Sequence, residues 1–197
     1  MTGEHVSERR AQWRRDNDLA EYHTRWTRLE VEGKATHGEA DLIASYAPTS
    51  VLDAGCGMGR VAIELARRGF DVDGTDLDDD LLEYARYDAP HLAWIHGDLS
   101  TVSLPRKYAL VAMPGNVMVF CRPQDRAPIV ANLVAHMEPG AVLIAGFMLE
   151  RRPEAITLAE YDAACAATGL SLADRFATWE RAPYDDGNYA VSVHRND

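Results

Sequence analysis

Three glycines at alternate positions, Gly55, Gly57 and Gly59, separate the apolar run Val51-Leu52-Asp53-Ala54 from a helix-like segment that starts at Val61. No other stretch constrains the fold of this chain as much. A short apolar run bounded by glycines reads as a buried strand, and a strand, glycine turn and helix in succession open a parallel α/β sheet. Bare positions reach φ/ψ values closed to other residues and let a ligand approach the main chain. The free N–H groups of the following helix start face the same side. In an open parallel sheet that side is the ligand crevice, at the carboxyl ends of the strands and beside the point where strand order reverses.

The rest of the chain keeps the same rhythm. Val61 to Arg68 is predicted to be a helix with Arg67 and Arg68 in its last turn, where cations suit the macrodipole, and Gly69 as its C-cap. Phe70 to Leu77 reads as the second strand, and Asp78-Asp79-Asp80 opens a helix through Arg86. Ala93 to Leu99, Tyr108 to Met113 and Ala141 to Met148 are further strands. A helix from Asp125 to Met137 lies between the last two, with Pro128 in its first turn and Pro139-Gly140 ending it. Thr157 and Glu160 have capping-box spacing and start a helix that Gly169 stops. Leu170 to Trp179 and Tyr189 to His194 form a hairpin around the turn-rich Pro183 to Asn188. Five strands joined by helices and then a hairpin predict a mostly parallel sheet with one antiparallel member. Residues 1–48 are helical in character: Leu19, Tyr22, Trp26 and Leu29 make one apolar stripe in Asp18 to Glu30, and Glu39 to Tyr46 is a short helix closed by Pro48.

The glycine loop alone leaves two cofactor classes open. A dinucleotide site uses G-x-G-x-x-G, whereas this loop is G-x-G-x-G, with Arg60 where the last dinucleotide glycine would fall. Three aspartates separate the two classes. Asp53 stands inside a strand, where an unpaired carboxylate is costly unless it orders the loop or faces the amino group of a ligand. Asp76 ends the second strand and can accept hydrogen bonds from both hydroxyls of a ribose. Asp98 ends the third strand and can accept from an exocyclic adenine amine. Each taken singly reads equally well as a turn aspartate. Together they describe a pocket for a nucleoside with a zwitterionic, cationic tail and no phosphate, which is the character of S-adenosylmethionine (SAM).

On these segments the chain resembles the class I SAM-dependent methyltransferases. VLDAGCGMGR (Val51 to Arg60) is similar to that family's first motif, GTDLD (Gly74 to Asp78) to its second, IHGDLS (Ile95 to Ser100) to its third and YALVAMPGNV (Tyr108 to Val117) to its fourth. Ala109 stands where many members carry an acidic residue. The resemblance implies a Rossmann-like three-layer α/β sandwich with a seven-stranded, mostly parallel sheet and an antiparallel last strand. It implies a SAM-binding domain over residues 49–197, with residues 1–48 as a helical lid. It also implies roles for single residues. The main chain of Gly55, Cys56 and Gly57 would lie against the methionine part of SAM, with Asp53 near its amino group and Gly59 allowing close packing. Asp76 would hold the ribose hydroxyls and Leu77 would pack on the adenine. Asp98 would meet the adenine amine, Leu99 would donate its N–H to a ring nitrogen, and Met113 and Pro114 would line the pocket beside the sulfonium.

For the methyl acceptor the residues exclude more than they select. Met113-Pro114-Gly115-Asn116 lacks the Asn/Asp-Pro-Pro-aromatic signature of enzymes that methylate base or amide nitrogens, and a formal net charge of −11 disfavours a polyanion. The basic run Glu8 to Asp16 reads as a solvated helix face or frayed arm, with a contact to an acidic ligand as the alternative. His23, His37 and His96 are candidate bases as well as ordinary surface histidines, and Asn116 either holds an acceptor or caps a turn. Tyr22, Trp26 and His37 would belong to the lid, with core packing at helical spacing the favoured reading of Tyr22 and Trp26. Cys56, Cys121 and Cys165 show neither zinc spacing nor a disulfide framework; no signal-peptide core and no membrane-length apolar run is visible, so a cytoplasmic protein without metal is expected. The expected function is methyl transfer to oxygen or nitrogen of a small molecule. The alternatives are a non-enzymatic SAM-binding module, a NAD-dependent oxidoreductase and an aminopropyl transferase.

Overall fold

Seven strands form one sheet: β1 (Val51–Ala54), β2 (Val72–Asp76), β3 (Ala93–His96), β4 (Tyr108–Met113), β5 (Met137–Met148), β6 (Leu170–Phe176) and β7 (Tyr189–Asn196). Their spatial order is β3-β2-β1-β4-β5-β7-β6. β1 to β5 pair in parallel, and β7 runs antiparallel to both of its neighbours, β5 and β6. The computed structural model describes residues 7–33 and 36–196, without the side chains of Trp26, Thr27, Glu30 and Asn196. The Trp26 ring and the first six residues, on which the signal-peptide reading bore, therefore lie outside the described residues. The helices are α1 (Glu8–Asp16), α2 (Leu19–Val31), α3 (Gly38–Ala44), α4 (Arg60–Arg67), α5 (Asp79–Asp88), α6 (Val117–Phe120), α7 (Pro123–Ala135) and α8 (Leu158–Ala166).

The strands alternate their side chains between two cores, as a period of two demands. Val51, Leu110, Ala112 and Ile144 pack with α3 and α4 on one face. Leu52, Val111, Met113 and Leu143 pack with α6, α7 and α8 on the other. All four residues of β1 are buried, so the central strand is covered on both faces, the usual state of a parallel sheet. The result is the expected three-layer α/β sandwich. Strand order reverses between β1 and β4, which puts the crevice where β1, β2 and β4 end.

Several local expectations are corrected. The helix before β5 begins at Pro123, so Pro128 lies in its interior rather than in its first turn. Pro123 is the better first-turn residue, since its missing N–H has no intrahelical partner there. Pro139-Gly140 does not end that helix but belongs to β5, at a register shift opposite Tyr108 and Leu110. The short helix α6 was not foreseen. Elsewhere the differences are of a few residues: α4 begins at Arg60 and closes on Arg68 as C-cap, and α5 runs on to Asp88. Thr157 caps α8 as its capping-box spacing predicts, its hydroxyl accepting from Glu160 N at 3.1 Å.

Candidate active site

The glycine loop is held to the tip of β2 by its own main chain. The N–H groups of Gly55 and Cys56 both donate to the Thr75 carbonyl, at 2.8 and 3.0 Å. Two of the glycines are bare because something packs where a side chain would stand. A Cβ on Gly55 would come within 2.5 Å of Val117, the first residue of α6, and one on Gly59 within 2.4 Å of the Trp94 ring. Gly59 is also the N-cap of α4 and has no side chain to cap with. Asp53 supplies the missing acceptor from below: its Oδ2 takes the N–H of Ala62 at 3.1 Å.

Asp53 is 1% exposed, and its other carboxylate oxygen has no partner among the described residues. Burial lifts its pKa from the ordinary carboxylate range to about 7, against the pull of the Ala62 N–H and of Arg60. The folded protein therefore binds a proton here that the unfolded chain releases near pH 4. This group's contribution to stability is complete below that range and is lost as pH rises through about 7. Calorimetric unfolding scans should show the ligand-free protein losing stability across this window by more than an Asp53→Asn variant does; parallel curves for the two would contradict the buried, unpaired state of Asp53.

Asp76 closes β2 with both oxygens engaged: Oδ2 accepts from Gly57 N at 2.8 Å and Oδ1 from Asp78 N at 2.9 Å. A carboxylate offers about four lone-pair sites, so two remain for a ligand diol. Burial raises its pKa, opposed by the Asp78 N–H and by Arg10. Asp98, two residues beyond β3, accepts on Oδ1 from the N–H and the hydroxyl of Ser100, at 2.8 and 2.7 Å. All three aspartates line one cavity of about 770 Å³. Gly55, Cys56, Gly57, Leu77, Leu99 and Pro114 line the same cavity.

Two of the expected site residues stand elsewhere. Gly59 lies behind the cavity wall, against Trp94. Met113 is fully buried in the core beneath α6 and α7, because it shares the face of Val111 rather than that of Ala112. The loop position beside it that does reach the cavity is Pro114. Of the three candidate bases, His23 and His37 line the cavity, while His96 bonds the Leu77 carbonyl at 2.9 Å outside it. His23 is committed to Asp88 at 2.7 Å. Asn116 does not cap α6 with its side chain; its Oδ1 accepts from Met148 N at 2.8 Å and ties the loop after β4 to the end of β5.

The basic run contributes what its sequence left open. Arg10 of α1 lies 3.6 Å from Asp76 and 3.2 Å from Asp78, and Arg14 pairs with Asp78 at 3.3 Å and Asp80 at 2.6 Å. The Ser7 hydroxyl donates to the Phe120 carbonyl, and Trp13 meets Tyr22 and Phe120 edge to face. α1 thus links the tip of β2 to α6, and its Arg10 and Trp13 line the cavity. Glu39, Trp179 and Tyr189, which form another part of the wall, were also missed. No local pattern marks them, since the fold brings them in from α3 and from the terminal hairpin.

A family model described as a methyltransferase domain matches residues 51–140. The crystal structure of a TehB-like SAM-dependent methyltransferase from Corynebacterium glutamicum is 33% identical, with a TM-score of 0.82 over 90% of this chain and 97% of that one. The chain belongs to the class I SAM-dependent methyltransferases. Among curated proteins, the dTDP-3-amino-3,4,6-trideoxy-α-D-glucopyranose N,N-dimethyltransferase of Streptomyces venezuelae is 32% identical over 108 residues, 53% of this methyltransferase. The match spans just under half, 46%, of that enzyme's length. CalS10, an amino pentose methyltransferase from Micromonospora echinaspora, shares the fold at 21% identity and a TM-score of 0.71, covering 92% of this methyltransferase and 98% of that chain.

SAM is the family's cofactor, and the methyltransferase's own residues fit it. Asp53 Oδ1 is a buried acceptor with no donor among the described residues, suited to an ammonium. The spare lone pairs of Asp76 suit a ribose diol, and nothing in the loop replaces the third dinucleotide glycine, so the NAD reading is dropped. Among the described residues no group of three or more His, Cys, Asp or Glu is placed to hold a metal ion, and no helix is long and apolar enough to cross a membrane.

Proposed function

We propose that the protein transfers a methyl group from SAM to a nitrogen or oxygen of a small-molecule acceptor. One observation carries this reading: the cavity that holds Asp53, Asp76 and Asp98 continues past them to a second wall containing His37, Glu39, Trp179 and Tyr189. Its volume lies within the range that encloses a small ligand, and the second wall leaves a place beside the cofactor. When bound, SAM supplies an electrophilic methyl on a sulfonium. The protein's part is positioning. Gly55, Cys56 and Gly57 flank the methionine portion, Asp53 faces its amino group, Asp76 holds the ribose hydroxyls and Leu77 packs on the adenine. Asp98 meets the adenine amine, the Leu99 N–H a ring nitrogen, and Pro114 borders the transferring methyl. Holding the acceptor atom in line with that methyl accounts for most of the rate effect. His37 lines the second wall and is the candidate to take a proton from the acceptor.

Of residues 1–48, α1 and α2 act as the lid, while α3 packs into the core of the SAM-binding domain formed by residues 49–197. The ion pairs of Arg10 and Arg14 with the tip of β2 support that division. The acidic balance of the chain supports an acceptor that is not a nucleic acid. Free cysteines at Cys56, Cys121 and Cys165 support a cytoplasmic setting.

An amino sugar is the first acceptor to test, because the Streptomyces venezuelae relative is named for one. Incubation with isotopically methyl-labelled SAM and a panel of amino sugars, amines and phenols, read by mass spectrometry, should yield a labelled product with S-adenosylhomocysteine in equal amount. Tight SAM binding with no product from any panel member would favour the non-enzymatic binding module instead. Transfer from decarboxylated SAM alone would point to the aminopropyl transferase.

A further inference from the structure

The second wall of the cavity is built around a missing side chain. Gly146 lies near the end of β5, beside the tip of β4, with Met113 paired to Ala145. A Cβ at Gly146 would stand 2.3 Å from Trp179 Cζ2 and 2.7 Å from the Tyr189 hydroxyl. The two aromatic side chains therefore reach over the strand end that adjoins the loop after β4. That loop is locked to the same place, since Asn116 N donates to the Gly146 carbonyl at 3.3 Å. Gly38, at the start of α3, closes the back of the wall, where a Cβ would meet Trp179 Cβ at 3.3 Å.

Within this wall the hydrogen-bond arrangement has a direction. Trp179 Nε1 donates to the Tyr189 hydroxyl at 2.9 Å. The phenol thus accepts from the indole and keeps its own hydrogen to give, and among the described residues no acceptor meets that hydrogen. Burial pushes the Tyr189 pKa up to about 12, so the donor is present throughout the neutral range.

We propose that Trp179 and Tyr189, seated over Gly146, form the acceptor subsite and select a saturated, hydroxylated ring, with the indole against the C–H surface of the ring and the phenol donating to one of its oxygens. This reading rests on methyl transfer to a small molecule and names the class of that molecule. A flat aromatic acceptor without an oxygen in reach leaves the phenol hydrogen buried and unpaired, which costs binding. Glu39 and Arg60, joined by an ion pair at 2.5 Å, border the subsite and offset one another's charge.

The test uses the full chain saturated with S-adenosylhomocysteine and labelled with 15N-tryptophan, the Trp179 indole signal being assigned with Trp179→Phe. Methyl glycosides of aminohexoses and the dTDP-3-amino sugar are titrated in. The Trp179 resonance should shift, and Tyr189→Phe should weaken glycoside binding about 3- to 10-fold, the worth of one hydrogen bond. S-Adenosylhomocysteine affinity should stay within about twofold, which excludes simple misfolding. No shift at Trp179 with any glycoside, or equal glycoside affinity in Tyr189→Phe, would overturn the subsite. Failure to bind S-adenosylhomocysteine at all would instead remove the methyltransferase reading beneath it.

Discussion

Replacing Asp76 by alanine should weaken SAM binding by ~1.5–3 kcal/mol, roughly 10- to 150-fold, in a calorimetric titration. Both its oxygens already accept main-chain N–H groups, from Gly57 on the glycine loop and from Asp78 at the start of α5. The carboxylate thus orders the loop as well as offering its remaining lone pairs to the ribose. Losing it removes the diol contacts and leaves the Gly57 N–H without its acceptor. It also frees Arg10 from one of its two carboxylate neighbours on the tip of β2. Asp76→Asn keeps one good acceptor oxygen, so its loss should be the smaller of the two. An affinity for Asp76→Ala within twofold of the parent would show that the ribose does not lie at the end of β2.

The second large effect is on stability. Gly59→Ala should destabilise the fold by about 2–5 kcal/mol, combining about 1–2 for a left-handed residue with side chain and about 1–3 for overpacking. Gly59 has φ +81, and its absent Cβ would lie 2.4 Å from Trp94 Cη2. The ring is held in place: its Nε1 is bonded to the Ala89 carbonyl at 2.9 Å, and it packs so closely on Gly74 that a Cβ there would also meet it, at 2.4 Å. In a chain of this size the melting temperature should fall on the order of 5–15 °C. Gly69 supplies the control, since it has φ +90 but, among the described residues, nothing within 4 Å of its would-be Cβ. Gly69→Ala should cost only the backbone share, and a Trp94→Leu change should recover part of the Gly59→Ala loss. Equal melting temperatures for the two alanine variants would contradict the steric account.

The sequence was most legible where the physics is local. The passage from Val51 to Arg60 carries its own strand, turn and helix start, and Asp76 and Asp98 mark strand ends within a few residues of their glycines and apolar runs. All three aspartates do line one cavity. The misplacement of Met113 comes from a strand buried on both faces: without polar residues alternating along β4, nothing in the sequence tells which apolar side chains point to which core. Pro128 misled for a different reason. A proline is a good marker of a first turn, but Pro123 took that place and left the second proline in the helix interior. Arg10, Trp179 and Tyr189 were beyond local reading altogether. They meet the cavity from far along the chain, and helical or strand periodicity says only that such residues are half-buried, not what they face.

The central claim is that the ends of β1, β2 and β3 seat the adenosyl and methionine parts of SAM. A crystal structure grown with S-adenosylhomocysteine tests it most directly. It should show the ribose on Asp76, the amino group beside Asp53 and the adenine near Asp98. The thioether sulfur should face the space between Pro114 and the Trp179–Tyr189 wall. A well-ordered protein with the nucleoside bound elsewhere, or with those three carboxylates touching no part of it, would contradict the account.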